Sequence, residues 1–576
     1  MSSARHASRC LAGFLLALPL PLMAQASTSA ATTGELPLKL APRPTGPAIT
    51  AADLMTRLYV FADDSMMGRQ VGTEYNLKGT AYLEREVKRL GLQPAGEDGG
   101  YFQNIPLFTF TVDSALSVMK TGGKALVFGT DFFPISRAER RATLDGVPVI
   151  YGGSTGDSTS WIPAAAASGS IVVLSVPNTA SPFRNAIFAS TSRFGGAAAV
   201  LIASLDRIPA TLRSFLARSS SMKANDAPAA GPPTVFVTQQ VATALFGRPI
   251  DSVKAGATGQ AMSGTLVLHE TRAPGRNVVA ILPGGDVTLK GEYVAIGAHN
   301  DHVGFNRRPV DHDSLRAFNM VARPQGADSP APGKLTDAQN ARIRALIDRL
   351  HAVHGVRADS INNGADDDGS GSVSVLEIAE AFATSKQKPK RSILFIWHTG
   401  EEAGLYGSQY FTDHPTVPRD SIVAELNMDM VGRGGANDVT GETKDGTLVH
   451  GGPGYLQLVG SRRLSTELGD LVEQVNRDRK LGFNFDYSMD ADGHPQNIYC
   501  RSDHYEYARY GIPIVFFTTG GHADYHQVTD EPQYIDYDRM ASVASLVYDV
   551  AWKVAGLDHR VGVDKVKPNP KGMCVQ

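Results

Sequence analysis

The chain has 576 residues, 42% of them hydrophobic and 20% charged, with a formal net charge of -3. This length is several times that of a typical domain, so we expect at least two domains with ample core. The nearly balanced charge lacks the basic field of a nucleic-acid-binding protein, and we expect no nucleic-acid partner.

The first 26 residues have the three parts of a secretory signal. Two arginines precede an apolar run at 11–23, and Ala24-Gln25-Ala26 is a small-residue cleavage pattern. The run is too short to span a bilayer. We therefore predict that residues 1–26 are removed, that no membrane anchor remains, and that the protein is exported to the periplasm or beyond. Residues 27–48, rich in Ser, Thr, Ala and Pro, are predicted to be a flexible leader.

The next part of the chain changes from helical to β-rich patterns. Amphipathic patterns predict helices at Ala51–Phe61 and Tyr75–Leu90. From 121 to 267, short β-rich runs alternate with Gly, Ser and Pro, which is typical of a separate small β domain. The strands predicted in this segment are Ala125–Phe128, Val147–Tyr151, Ile171–Val176 and Thr234–Val237.

The segment 268–560 has an α/β pattern, and a short tail at 561–576 follows it. An insertion at 305–362 lies between its first two strands, and a capping box at Thr336 and Gln339 predicts a helix in the second half of that insertion. Another helix is predicted at Val373–Phe382. The strands predicted for a sheet buried on both faces are Tyr293–Ala298, Ile393–His398, Ile422–Met428 and Ile512–Phe517.

Polar clusters follow the ends of these strands, where open α/β sheets place their sites. Each cluster alone has a structural explanation as a turn, a surface pair or a hydrogen-bonded histidine. As a set, two imidazoles and three carboxylates match the ligands that two zinc ions need. Asp301 is placed to accept the second ring N–H of a ligating His299, and Glu401 can face a bound water. The candidate ligands are His299, Asp367, Glu402, Asp429 and His526.

These segments resemble, in the same order, the motifs of the co-catalytic di-zinc aminopeptidase family, which includes glutamate carboxypeptidase-like and glutaminyl cyclase-like members. Segment 121–267 resembles a protease-associated domain at Gly195–Ile202 and Pro233–Val237. The resemblance implies an α/β/α zinc-peptidase sandwich with a mixed, mostly parallel central sheet. Its catalytic domain would comprise 49–120 and 268–560, with the β-rich domain inserted.

The resemblance also implies a role for each candidate residue. Asp367 would bridge two Zn²⁺ ions, with Glu401 as general base and Asp301 supporting a ligand. Tyr525 would stabilise the oxyanion, with Tyr505 as a competing candidate. His299 and Asp429 would complete one metal site, and Glu402 and His526 the other.

The implied function is that of a secreted zinc exopeptidase, an aminopeptidase that hydrolyses peptides with metal-activated water. A glutamate-type carboxypeptidase is an alternative, although Arg433 and Arg501 do not form a recognisable carboxylate clamp. A receptor-like binding relative would be expected to lack ligands, and a single-metal glutaminyl cyclase is disfavoured because both ligand sets are present. The sequence leaves open the substrate side chain, the role of the insertion, the oligomeric state and a disulfide between Cys500 and Cys574.

Overall fold

The computed structural model describes residues 36–135, 139–177, 193–208, 218–222 and 231–576. The predicted signal and residues 27–35 of the predicted leader lie outside the described residues, and residues 36–48 of the leader contain no helix or strand. Residues 38–576 form one compact unit. None of the helices in the described part of the chain combines the length and apolar character needed to span a bilayer.

A mixed sheet forms the centre of the α/β region. Its four middle strands, from Ser392–His398 to Ile514–Thr518, are parallel, whereas the strand on either side of them is antiparallel to its neighbour. The parallel strands therefore end at one edge, where their polar clusters meet. In order across the sheet the strands are Gln93–Pro94, Arg276–Leu282, Ser392–His398, Tyr293–His299, Ile422–Met428, Ile514–Thr518, Tyr455–Val459 and Asn484–Asp486, with Phe102–Asn104 also paired to Arg276–Leu282.

Helices cover both faces of this sheet. The ring of Phe395 contacts that of Phe382, which lies in a helix on one side, whereas Leu394 and Ile396 pack with Phe411 on the other. Because successive strand residues point to opposite faces, the predicted α/β/α architecture is confirmed. The helices of the described residues are Ala51–Phe61, Glu74–Arg89, Gln239–Phe246, His312–Ala322, Asp337–His354, Gly371–Thr384, Tyr406–Asp413, Thr466–Arg479, His504–Ala508 and Tyr537–Gly556.

A second sheet is built by the β-rich segment and extends beyond the predicted boundaries of 121–267. Leu107–Val112 belongs to it because this strand pairs with Thr258–Arg272. The predicted strand at Ala125–Phe128 is reduced to Lys124–Ala125. In order the strands are Arg218–Met222, Leu107–Val112, Thr258–Arg272, Arg140–Ser154, Ile171–Ser175, Ala199–Ala203, Thr234–Val237 and Phe132–Ile135, with Val118–Thr121 pairing to Thr258–Arg272 and to Lys124–Ala125.

The chain leaves the central sheet after Asn104 and returns to it at Arg276. These two residues are paired in neighbouring antiparallel strands. The second sheet is therefore inserted between adjacent positions of the central sheet and leaves its strand order intact.

The insertion 305–362 contains two helices rather than the one that the sequence predicts. Its ends are joined by pairing of Phe305–Asp311 with Ala358–Ile361. The predicted capping box at Thr336 is present, and the unpredicted helix is His312–Ala322. A further two-stranded sheet pairs Val439–Glu442 with Leu448–His450.

A disulfide joins Cys500 to Cys574 and ties the tail to the α/β region. Next to it the Gln576 side chain is buried. Its Oε1 accepts the backbone N–H of Tyr499 at 2.9 Å, and its amide nitrogen donates to the backbone oxygen of Met489. The tail is thus packed against the loop that contains Cys500.

Candidate metal centre

The predicted ligands meet at the carboxyl-end edge of the parallel strands. His299 is the last residue of its strand, and Asp429 directly follows another. Glu402 lies in the turn after Ser392–His398, and Asp367 lies in the loop that precedes helix Gly371–Thr384. The fifth residue, His526, lies beyond Ile514–Thr518 with a left-handed backbone φ of 54°.

Asp367 lies between the two imidazoles. Its Oδ1 is 3.1 Å from His299 Nε2, and its Oδ2 is 3.0 Å from His526 Nε2. His526 Nε2 also lies 2.9 Å from Glu402 Oε2, and His299 Nε2 lies 3.6 Å from Asp429 Oδ1. The structure thus brings together two groups of one imidazole and two carboxylates, with Asp367 shared between them.

These groups have the features of a cation site. His299 and Asp367 are 1% and 3% exposed, and their ligand atoms face other imidazoles and carboxylates of the same set at 3.0–3.1 Å. Asp368 lies beside His299 and Asp429. Burial, followed by the negative charge of Asp429, raises the pKa of Asp368 well above its usual range. Clustered buried carboxylates are energetically costly without a positive charge nearby. Imidazole nitrogen and carboxylate oxygen are also the atoms that bind zinc. The residues present therefore fit divalent cations.

Asp301 has a different partner from the one that the sequence predicts. The ring Nδ1 of His299 lies 3.1 Å from the backbone oxygen of Asp301, whereas the carboxylate Oδ1 is 3.8 Å away. That Oδ1 instead accepts the backbone N–H groups of Gly400, at 2.7 Å, and Glu401, at 3.2 Å. The side chain of Asp301 therefore fixes the turn that carries Glu401.

Glu401 lines a cleft together with Asp367, Glu402 and Asp429. Burial is the largest cause that raises the pKa of Glu401, and the charges of Glu402 and Asp429 add to it. Cations bound by those carboxylates would offset this repulsion. The residue predicted as general base therefore lies in the same cleft as the candidate ligands.

The two tyrosines considered for the oxyanion role lie in different places. Tyr525 lines the cleft, and burial raises the pKa of its hydroxyl, which stays protonated. Tyr505 is buried in the core, where its ring contacts that of Tyr499. This geometry favours Tyr525.

Several supporting residues were not predicted as ligands or supports. His302 Nδ1 lies 2.7 Å from Glu402 Oε1, within the same cluster of possible ligands as His526. Its signal was present in the motif that contains His299. Ser502 Oγ donates to Asp429 Oδ2 at 2.8 Å and so contacts a candidate ligand. Asp530, which no motif marks, accepts the backbone N–H groups of Asp366 and Asp367.

The two arginines noted near the motifs do not form a joint clamp. Arg433 is buried and pairs with Asp524 at 2.9 Å and with Asp438 at 3.3 Å. Arg501 lines the cleft but pairs with Asp328 at 2.8 Å. Both guanidinium groups are therefore neutralised by carboxylates of the chain.

Another group of possible ligands, which we name the insertion cluster, is formed by His312 and Asp359 of the insertion together with Glu531 from outside it. Arg357 reaches into it. One guanidinium nitrogen, Nη2, lies 2.7 Å from His312 Nδ1, and the other, Nη1, lies 3.6 Å from Glu531 Oε2. This cluster therefore already contains a positive charge.

Residues 277–551 match the model of peptidase family M28. The chain contains an M28 peptidase domain. This confirms the family that the motifs predict, and all five candidate ligands fall within the matched residues. The M28 domain therefore includes the cleft with its candidate ligands.

Curated relatives match parts of this chain. A probable leucine aminopeptidase of Arthroderma otae is 36% identical over 122 residues, which are 19% of this chain and 34% of that protein. Leucine aminopeptidase 1 of Uncinocarpus reesii is 29% identical over 223 residues, which are 35% of this chain and 51% of that protein. The chain thus spans about half or less of the length of these relatives.

Among solved structures, an aminopeptidase from Aneurinibacillus sp. strain AM-1 is similar in fold. The TM-score is 0.50 at 16% sequence identity, and the match covers 90% of this chain and 97% of that one. At this level of sequence identity, the similarity supports the overall fold alone.

Proposed function

We propose that this protein is an exported zinc-dependent aminopeptidase that removes N-terminal residues from peptides. The observation that supports it most directly is the position of Asp367 between His299 and His526 in a cleft that also contains Glu401. The M28 match and the aminopeptidase names of the relatives support the same reaction class.

Two zinc ions are proposed as cofactors. His299, Asp429 and Asp367 would hold one ion, and Glu402, His526 and Asp367 the other. Bound zinc supplies a Lewis acid for the scissile carbonyl and lowers the pKa of water from 15.7 to about 7. Ser502, which donates to Asp429 Oδ2, orients that carboxylate toward His299.

Glu401 is proposed to move the proton in the reaction. Its carboxylate accepts a proton from the attacking water and gives it to the nitrogen of the leaving amine. Asp301 holds the backbone of this turn through its two N–H bonds. The Tyr525 hydroxyl donates a hydrogen bond to the substrate carbonyl oxygen as that oxygen gains negative charge.

The choice of an aminopeptidase depends on the cationic groups that could bind a substrate carboxylate. Among the described residues that line the cleft, Arg501 is the one arginine or lysine. Arg501 is the feature that favours the alternative, a glutamate-type carboxypeptidase, because a guanidinium can bind a carboxylate. Its pairing with Asp328 reduces that attraction.

The reaction class can be tested with peptides blocked at one end. An aminopeptidase is expected to cleave a peptide with a C-terminal amide and to leave its N-acetylated counterpart intact, whereas a carboxypeptidase gives the reverse result. Metal analysis is expected to find two zinc ions per chain. A chain without bound zinc or turnover would instead support a receptor-like binding protein.

The proton-transfer role is tested by Glu401→Gln. This change keeps the shape of the side chain but removes its basic oxygen, so we expect kcat to fall by about a hundredfold to ten-thousandfold. Zinc content is expected to stay the same. Glu74→Gln, at an exposed position, is the matched control. Full activity in Glu401→Gln would remove Glu401 from the mechanism.

Export and the protease-associated identity of the β-rich segment are part of the same proposal. The three-part signal at 1–26 supports export, and a disulfide such as Cys500–Cys574 persists in oxidising compartments. N-terminal sequencing of the exported protein tests the cleavage site. An intact N-terminus on a protein retained in the cytoplasm would contradict this part.

A further inference from the structure

Arg501 links the insertion to the tyrosine of the cleft. Its Nη1 donates to Asp328 Oδ2 at 2.8 Å, and its Nη2 donates to the hydroxyl oxygen of Tyr525 at 3.2 Å. All three side chains line the cleft. A single guanidinium therefore contacts a carboxylate of the insertion on one side and the proposed oxyanion donor on the other.

The insertion also contacts the backbone beside that tyrosine. Ala327 donates its backbone N–H to the backbone oxygen of Tyr525 at 3.0 Å. Gly326 adopts a left-handed φ of 54°, and a Cβ at this position would collide with the same oxygen. Glycine is required by this close approach. The turn that carries Asp328 is thus packed directly against the residue that Arg501 contacts.

The direction of the tyrosine proton follows from the chemistry of the pair. A guanidinium has only donors and no acceptor, so Tyr525 can accept from Arg501 but cannot donate to it. The Tyr525 O–H must then point to another acceptor. Since the hydroxyl lies at the wall of the cleft, the substrate carbonyl oxygen is an acceptor available to it.

We propose that Arg501 is a positioning residue that orients the Tyr525 hydroxyl toward the substrate, and that Asp328 of the insertion holds Arg501 in place. The inference rests on the proposed peptidase function. It gives the insertion a role in the reaction itself, because Asp328 positions the Tyr525 hydroxyl through Arg501.

The simpler interpretation is an ion pair between partly exposed side chains. Arg501 and Asp328 are 36% and 37% exposed, and such pairs contribute little to stability. If the contact is only such an ion pair, its removal should change turnover little. It also predicts that any change is the same with or without the Tyr525 hydroxyl.

A double-mutant cycle separates the two interpretations. Arg501→Met is expected to lower kcat by about tenfold to a hundredfold, with KM changed less than about twofold, because a positioned donor is lost in the transition state. In the Tyr525→Phe background the same change is expected to have no further effect. Arg501→Lys, which keeps a donor, is expected to retain more activity than Arg501→Met.

The part played by the insertion is tested with Asp328→Asn. This change is expected to reproduce part of the loss of kcat seen in Arg501→Met. In the Arg501→Met background, it is expected to have no further effect on kcat. Asp348→Asn, at an exposed position of the same insertion, is the matched control and should leave kcat unchanged. Asp328→Asn also provides a second route to the result if Arg501→Met folds poorly.

Two results would overturn the inference. One is an equal loss from Arg501→Met in both Tyr525 backgrounds, and the other is unchanged kcat in both Arg501→Met and Asp328→Asn. Zinc content and thermal midpoint are measured for every variant, so that lost metal or lost folding is recognised. A wild-type chain without zinc or turnover overturns the proposed function instead.

Discussion

The cleft and the insertion cluster both bury histidine beside carboxylates, but they differ in how those groups are satisfied. In the cleft, His299 Nε2 lies 3.1 Å from Asp367 Oδ1, and Asp367 Oδ2 lies 3.0 Å from His526 Nε2, so that these atoms face other candidate ligands. In the insertion cluster, His312 has Asp313 at 2.8 Å from Nδ1 and Glu531 at 3.1 Å from Nε2. Both groups therefore pair imidazole with carboxylate, and the difference between them lies in the positive charge that a basic side chain adds.

Arg357 accounts for the difference. Its guanidinium pairs with Glu531 of the insertion cluster and with the neighbouring Asp313. The ion pairs of Asp367 among the described residues are with histidines. Residue types alone are therefore a weak indicator of a metal site. The stronger indicator is a set of ligand atoms that face one another without a resident cation.

The largest effect expected from this comparison concerns Asp367 and Asp359. Asp367→Asn removes a charge shared by both proposed zinc ions, so we expect zinc content to fall and kcat to fall by at least about a thousandfold, in line with the several kcal/mol that metal catalysis supplies. Asp359→Asn in the insertion cluster should change neither. Metal analysis and peptide turnover measure both. Equal zinc loss in the two variants would contradict the comparison.

Removing the resident cation of the insertion cluster should destabilise the protein. Arg357→Met leaves Asp313 and Glu531 near each other without their guanidinium, and we expect a loss of about 2–4 kcal/mol in the free energy of unfolding. The value lies below that of a fully buried pair because the Arg357 side chain is 19% exposed. Urea denaturation measures it, with Arg342→Met on the exposed side of the same insertion as control. An unchanged midpoint would show that the cluster is satisfied without Arg357.

The smallest effect concerns the pH dependence of stability. Burial and the charge of Arg357 oppose the charged form of His312, but its hydrogen bond to Glu531 and the charge of that residue outweigh them and raise its pKa. A raised folded pKa stabilises the protein below the unfolded value of about 6.5, and this contribution is lost as pH rises through the folded pKa.

We therefore expect His312→Gln to be less stable than the wild type by about 1–2 kcal/mol near pH 6, the range for a hydrogen bond to a charged group. The difference should shrink as the pH is raised toward 9. Urea denaturation across this pH range measures it. A difference that grows with pH would show that His312 is neutral in the folded protein.

The sequence predicts residues that meet in the cleft because four of the five candidate ligands lie at or after the end of a buried strand, whereas Asp367 lies in a loop before a helix. Buried strands have apolar runs that end at polar clusters, and parallel strands bring those ends to one edge. The capping box at Thr336 likewise predicted its helix, because capping depends on residues close in sequence. Local patterns of this kind need no knowledge of distant contacts.

Features that depend on distant contacts were missed or predicted incorrectly. The carboxylate of Asp301 binds the backbone of Gly400 and Glu401, about a hundred residues away, rather than its near neighbour His299. Leu107–Val112 joins the second sheet by pairing with Thr258–Arg272, and no local pattern indicates that partner. The pairing of Arg357 with the insertion cluster is also visible only in three dimensions.

The disulfide has a consequence for how the cleft is held together. Cys500 and Cys574 close a covalent ring with a sequence separation of 74, and Ser502, Tyr525 and His526 all lie within it. Such a ring restricts the unfolded chain, which corresponds to about 4 kcal/mol for a loop of this size. Two preparations with identical sequence but different exposure to thiols should therefore lose peptide turnover at different temperatures, because only the oxidised one keeps this half of the cleft tethered.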